Sequence, residues 1–133
     1  IVKKRPQMDT ENLLDCYVNL RKEMESYMKY LDAWDKKIAM WGASHQGFTL
    51  AATTKLGDKA QYIIDSAPFK HGKFAPSSHL PIVPPEYFLD HPVDAIIITA
   101  PGYTEEIAAS IRERFGKDVE VRAMRFNHLE LVG

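Results

Sequence analysis

Apolar and polar positions change rhythm near residue 36. Before it, Leu13, Tyr17, Leu20, Met24, Tyr27, Leu31 and Trp34 recur at alternating steps of four and three. That spacing keeps one stripe of a helix apolar, and it predicts a single long helix over residues 9–35. Asp9 or Thr10, just after Pro6, suits its start. The other side carries Lys22, Glu25, Lys29, Asp32 and Lys36, a solvated face. The stripe must lie against something: the rest of this domain, or a neighbouring one. Aromatic residues within it fit a globular groove better than a self-associating coiled coil.

After residue 36, short apolar runs alternate with helical patterns. Strands are expected at Ile38–Trp41, Gln61–Asp65, Pro81–Val83, Asp94–Ala100 and Val119–Arg125, with a further extended segment at Asn127–Val132. Helices are expected at Gln46–Leu56, ending near Gly57, and at Thr104–Phe115, ended by Gly116. A short one opens at Pro84-Pro85-Glu86, where proline is tolerated in the first turn. Ala67–Leu80 reads as a loop rich in Pro, Gly, Ser and basic residues. The almost unbroken apolar run Ala95–Ala100 marks a strand buried on both faces of a parallel sheet. The expected fold is α/β: a Rossmann-like, doubly wound parallel sheet of about five strands, preceded by the long N-terminal helix. The corresponding division is a linker or docking helix over 1–35 and a Rossmann-like domain over 36–133.

Such a sheet binds ligands at the carboxyl ends of its strands, near the switch in strand order. Three segments should meet there: the Gly42–Gly47 turn, the loop after Asp65, and Pro101-Gly102-Tyr103. The turn Gly42-Ala43-Ser44-His45-Gln46-Gly47 brings backbone N–H groups and a helix start toward an anion. Ser44 stands where a dinucleotide fingerprint has its middle glycine, so the alternative is a tight turn that binds nothing. Asp65 lies about twenty residues beyond the turn, where such folds place an acid that bonds a ribose hydroxyl; it could equally cap a turn. Lys70 and Lys73, in Phe69-Lys70-His71-Gly72-Lys73, could neutralise a diphosphate or simply be exposed. His45 could donate to an oxyanion or act as a base, although no orienting partner is evident.

Composition narrows the classes. Net charge of −1 over 133 residues gives no broad pull toward nucleic acid or an anionic membrane. No apolar run approaches the length needed to span a bilayer. Cys16 is the single cysteine, which excludes an internal disulfide and makes a small apolar filler inside the first helix. No signal sequence is visible, and a cytoplasmic location is the default expectation. None of His45, His71, His79, His91 or His128 has metal-type spacing with another ligand. Gly42-Ala43-Ser44-His45-Gln46 lacks the second glycine of a nucleophile elbow. Glu105-Glu106 open a helix, where their charge suits the dipole. The chain begins at Ile1 without methionine, and it reads as a piece of a longer protein.

The run Lys36-Lys37-Ile38-Ala39-Met40-Trp41-Gly42-Ala43-Ser44-His45-Gln46-Gly47-Phe48-Thr49-Leu50 resembles the C-terminal domain of sugar C-methyltransferases. These enzymes use S-adenosylmethionine to methylate nucleotide-linked deoxysugars. A second block agrees in spacing: Asp65, Pro68, Lys70, Gly72, Pro76, His79, Pro81, Ile82 and Pro84. The likeness runs from about Leu13 to Ile111. It implies a parent with a zinc-binding N-terminal domain, a middle domain that binds S-adenosylmethionine and carries the catalytic acid–base groups, and this third domain. The fragment itself would hold no cofactor and no catalytic residue. It would help to bind the nucleotide-linked sugar and contact the missing domains. Carried over by position, the substrate-binding candidates are Gly42, Ala43, Ser44, His45 and Gly47 in the turn, then Asp65, Lys70, Gly72 and His79. Phe48, His45-Gln46 and Pro101-Gly102-Tyr103 depart from residues the family commonly has there. Two other readings stay open: an interaction module with a vestigial cleft, docking on a partner domain through its long helix, and a stand-alone dinucleotide-binding domain.

Overall fold

The computed structural model describes residues 10–54, 56–100, 102–124 and 129–132. Helix α1 (Thr10–Ala33) is followed by β1 (Ile38–Trp41), α2 (His45–Thr53), α3 (Leu56–Lys59) and β2 (Ala60–Ile64). A 3₁₀ turn at Pro68–Lys70 leads to β3 (Ile82–Val83) and α4 (Tyr87–Asp90). The chain then forms β4 (Ala95–Ile98), α5 (Thr104–Phe115), β5 (Glu120–Met124) and β6 (Leu129–Leu131). The strands form one sheet in the order β3-β2-β1-β4-β5-β6. Pairings from β3 to β5 are parallel, and β6 runs antiparallel to β5. The chain therefore winds outward from β1 to β3, then returns to lay β4 on the other side of β1. The reversal between β1 and β4 is the switch point of a doubly wound sheet.

Strand residues alternate between two apolar layers, as the twofold strand period requires. Ile38, Met40, Ile63 and Ile97 join α1, α2 and α3 in one cluster. Ala39, Trp41, Ile64, Ile96 and Ile98 join α4 and α5 in the other. All four residues of β4 are buried, which explains its continuous apolar run.

Helix α1 belongs to the first layer. Leu20, Met24, Tyr27, Met28 and Leu31 are buried there. The stripe thus includes Met28, which an alternating four-three count passes over, because a globular helix buries a face wider than a coiled-coil seam. Trp34 lies just past the helix end and is 69% exposed, so it is not part of the buried stripe. An ion pair between Lys59 and Asp32 ties α3 to α1. The apolar side of α1 from Leu20 to Leu31 is occupied within the chain. Asp9 and the side chains of Leu13, Cys16 and Tyr17 lie outside the described residues.

Two expectations change in detail. The helix expected over Gln46–Leu56 is two helices. Thr54 adopts an extended backbone, caps α2 by bonding Leu50 O through both its N–H and its hydroxyl, and accepts from Leu56 N–H to start α3. Gly57 lies inside α3 rather than ending a helix. The loop Ala67–Leu80 contains the 3₁₀ turn, and Phe74 bridges Pro81 at its far end.

Two phenols are buried beneath the layers. Burial, with the Tyr27 O–H donated to Glu120 Oε2 at 2.6 Å and the negative charge on Glu120, pushes the Tyr27 hydroxyl above its ordinary range. Burial, then the nearby Tyr87, does the same to Tyr62, whose O–H is donated to His91 O at 2.7 Å.

Candidate functional site

The site begins where β1 ends. Gly42 donates its N–H to Ile64 O at 2.8 Å and turns the chain with φ +127°, a conformation suited to glycine. Ser44 then caps α2. Its Oγ accepts from Gly47 N–H at 3.3 Å and donates to Thr99 O at 3.1 Å, joining the helix start to the end of β4. Gly47 is required by close approach: a Cβ there would come within 2.6 Å of Thr99 Oγ1 and 2.7 Å of Gly42 O. This is the helix-to-strand packing role of the last glycine in nucleotide-binding turns.

Thr99 is the buried fastener of this corner. It is 1% exposed. Its N–H bonds Trp41 O at 2.9 Å, and its hydroxyl donates to Gly42 O at 3.0 Å and Trp41 O at 3.3 Å. Sequence reasoning passed over it, although one polar residue inside the run Ala95–Ala100 was the available signal.

Asp65 follows β2 directly and reaches back to the turn. Its Oδ2 accepts from Ala43 N–H at 2.9 Å and its Oδ1 from Ala67 N–H at 2.9 Å. Lys70 Nζ lies 3.5 Å from Asp65 Oδ2 and donates to Ala43 O at 2.9 Å. His71 Nε2 contacts Asp65 O at 2.5 Å. Asp65 and Lys70 thus clip the 66–71 segment to both polar atoms of the Ala43 backbone.

A cleft of about 470 Å³ opens above Trp41, between this clip and α5. One side of its lining holds Asp65, Ser66 and Lys70; Tyr103, Glu106 and Ser110 line the other. Gly42, Ser44 and Ala100 lie between them. The three segments expected to meet do meet here, with Tyr103 representing the third. Pro101 and the side chain of His45 lie outside the described residues. Phe69 and Tyr103 are largely exposed, the one beside Lys70 and the other in the α5 lining.

The remaining candidates are placed elsewhere. Gly72 is exposed at φ +80° and donates to Ile82 O. His79 is exposed at φ +58° in the turn that bonds Ala75 O. Neither lines the cleft. Conversely, Glu106 and Ser110 were not singled out as ligand groups. Their signal was the spacing of Tyr103, Glu106, Ile107 and Ser110, which puts all four on one helical face.

The corner does not suit a dinucleotide in the usual manner. The acid that would take the ribose diol already accepts two backbone N–H groups, and Ser44 fills the middle glycine position with an engaged side chain. Among the described residues, no three metal-ligating side chains converge. No described helix is long and apolar enough to cross a membrane.

Comparison with known proteins agrees with this architecture. The UDP-D-quinovosamine 4-dehydrogenase of Vibrio fischeri superposes with a TM-score of 0.56 at 19% identity, over 74% of this chain and 93% of that one. RSP, a Rex-family repressor, gives 0.52 at 16% identity, over 78% and 60%. At such identities the likeness is one of fold: an α/β, Rossmann-like sheet. The C-methyltransferase NovU of Streptomyces niveus is 30% identical over 95 residues, which is 71% of this chain. The chain spans 23% of that protein's length. The family model described as the C-methyltransferase C-terminal domain matches residues 12–121. The chain belongs to the C-methyltransferase C-terminal domain family.

Proposed function

We propose that this chain is the substrate-holding domain of an S-adenosylmethionine-dependent sugar C-methyltransferase, and that it helps to bind a nucleotide-linked sugar without transferring the methyl group itself. The observation that supports this is the cleft at the switch point, in a chain of this family. Three strand ends and the start of α5 bring hydroxyl, carboxylate and aromatic groups around one opening. Its volume, about 470 Å³, is in the range of small-molecule sites.

In this reading, residues 36–133 form the binding domain and α1 leads into it from the rest of the parent polypeptide. S-adenosylmethionine and zinc belong to the parent's other domains, and the parent acts in the cytoplasm. The role of this chain is to hold and orient the sugar against the domain that carries the cofactor, which lowers the entropic part of the barrier. Within the corner, Gly42, Ala43, Ser44 and Gly47 shape the floor, and Asp65 with Lys70 fixes the turn.

The test is a titration of the isotopically labelled chain with dTDP and a dTDP-deoxysugar, followed by backbone amide shifts. Shifts concentrated at Gly42–Gly47, Asp65–Lys70 and Tyr103–Ser110 are expected. No shifts at millimolar ligand would overturn the reading.

A further inference from the structure

The charges around the cleft distinguish two parts of a nucleotide-linked sugar. Among the described residues of its lining, Asp65 and Glu106 are the acids and Lys70 is the cation. Lys70 is already committed. Its ammonium donates to Ala43 O at 2.9 Å and sits 3.5 Å from Asp65 Oδ2. A diphosphate entering here would meet a lysine neutralised by its neighbour and would bring its own charge toward two carboxylates. Like charges brought together in a partly enclosed cleft repel.

Glu106 is placed differently. It is exposed on α5, and its carboxylate has no hydrogen-bond or ion-pair partner among the described residues. Ser110 follows it by one helical turn on the same face, and Tyr103 precedes it by three residues. An ionised carboxylate is a pure acceptor with two oxygens, suited to two neighbouring hydroxyl donors. A serine hydroxyl adds a donor and an acceptor, and an aromatic ring offers a flat apolar surface to a sugar's C–H face.

Building on the nucleotide-sugar reading above, we infer that the α5 side of the cleft is a diol-binding wall. Glu106 accepts from vicinal hydroxyls of a sugar ring, Ser110 and Tyr103 flank that ring, and the diphosphate remains outside the cleft. Glu106 is therefore a specificity-determining residue. The diol could belong to the hexose or to the ribose, and both present the same chemistry.

The experiment measures affinities of the full chain and its Glu106→Gln variant for inorganic pyrophosphate, dTDP, UDP and dTDP-glucose. Folding of the variant is checked by circular dichroism. The two placements predict opposite signs. If hydroxyls face Glu106, the amide weakens binding of the diol-bearing ligand by about tenfold, and pyrophosphate alone does not occupy the cleft. If the diphosphate lies there, removing a negative charge leaves binding equal or tighter. Unchanged or improved affinity in Glu106→Gln, or pyrophosphate shifting Gly42–Gly47 amides, would overturn the inference while leaving the nucleotide-sugar reading intact. Failure of the native chain to bind any of the four would remove that reading and this inference with it. A loss of affinity confined to dTDP-glucose assigns the diol to the hexose, because dTDP has a deoxyribose without one. An equal loss for UDP assigns it to the ribose.

Discussion

The two walls of the cleft present similar polar groups but use them differently. On the β2 side, Asp65 and Lys70 spend their bonding capacity on the backbone of Ala43 and Ala67. On the α5 side, Glu106 projects from the first turn of a helix, and its carboxylate has no partner among the described residues. A carboxylate at a strand end in this fold therefore does not identify a ligand contact on its own. The first wall holds the corner in shape, and the second has acceptors left over. Stability measurements should separate the two, because removing a structural bond costs folding free energy and removing a surplus acceptor does not.

The floor between the walls should show the largest effect. Glycine inside a helix is ordinarily less stable than alanine by up to about 1 kcal/mol. At Gly47 the sign should reverse, since an added Cβ meets Thr99 Oγ1 at 2.6 Å and Gly42 O at 2.7 Å. Gly47→Ala is expected to destabilise the chain by about 1–3 kcal/mol in urea unfolding. A gain in stability would show that α2 can move away from β4, and the cleft floor would then not be fixed.

Alkaline pH gives a second large effect, centred on two buried phenols outside the cleft lining. Tyr27 and Tyr62 hold their protons more tightly when folded, through burial first and through Glu120 and Tyr87 second. The unfolded phenols ionise near pH 10. Between that value and the raised folded values, the unfolded state binds fewer protons, so stability falls as pH rises. The contribution is fully present below about pH 10, and each phenol removes up to about 1.4 kcal/mol per pH unit above it. Thermal melts from pH 8 to 11 should fall beyond pH 10. Tyr62→Phe should flatten part of that decline, although it also removes the bond to His91 O. A melting temperature unchanged to pH 11 would contradict the burial of both hydroxyls.

Asp65 comes next. Asp65→Ala leaves the N–H groups of Ala43 and Ala67 without their carboxylate and removes the partner of Lys70. The expected loss is about 1–2 kcal/mol, seen as a lower urea midpoint with amide shifts at the Gly42–Gly47 turn. A variant as stable as the native chain would place Asp65 with the surplus acceptors and remove the contrast between the walls.

Much of this arrangement could be read from the sequence, and its failures share a physical cause. The apolar run at Ala95–Ile98 and the pattern of Thr104–Phe115 gave a buried strand and a helix because both signals are local. The meeting of three loops followed from strand order. What stayed hidden depends on where a side chain turns in three dimensions. Asp65 and Lys70 were legible as charges near the turn, but not as charges spent on Ala43. Glu106 was legible as an acid in the first turn of a helix, and that role concealed its position in the cleft lining. Met28 was missed because a strict heptad count is narrower than the face a globular helix buries. Gly72 and His79, carried over by position from the family resemblance, are exposed and lie outside the cleft lining.

The smallest predicted effect is the one that decides whether the α5 wall is free to bind. Glu106→Gln removes a negative charge from the first turn of α5, where Glu105 also lies. The helix-dipole contribution of one exposed acid is about 0.3–1 kcal/mol, and the neighbouring acid keeps part of the field satisfied. Urea unfolding should therefore shift by no more than about 0.5 kcal/mol, the range of surface substitutions. Ser110→Ala should do as little, since alanine is the better helix former. A loss comparable to that of Asp65→Ala would mean that Glu106 supports the fold in solution, and the two walls would then be the same kind of wall. Native stability together with weakened ligand binding is the pattern of a group held ready for something outside the chain.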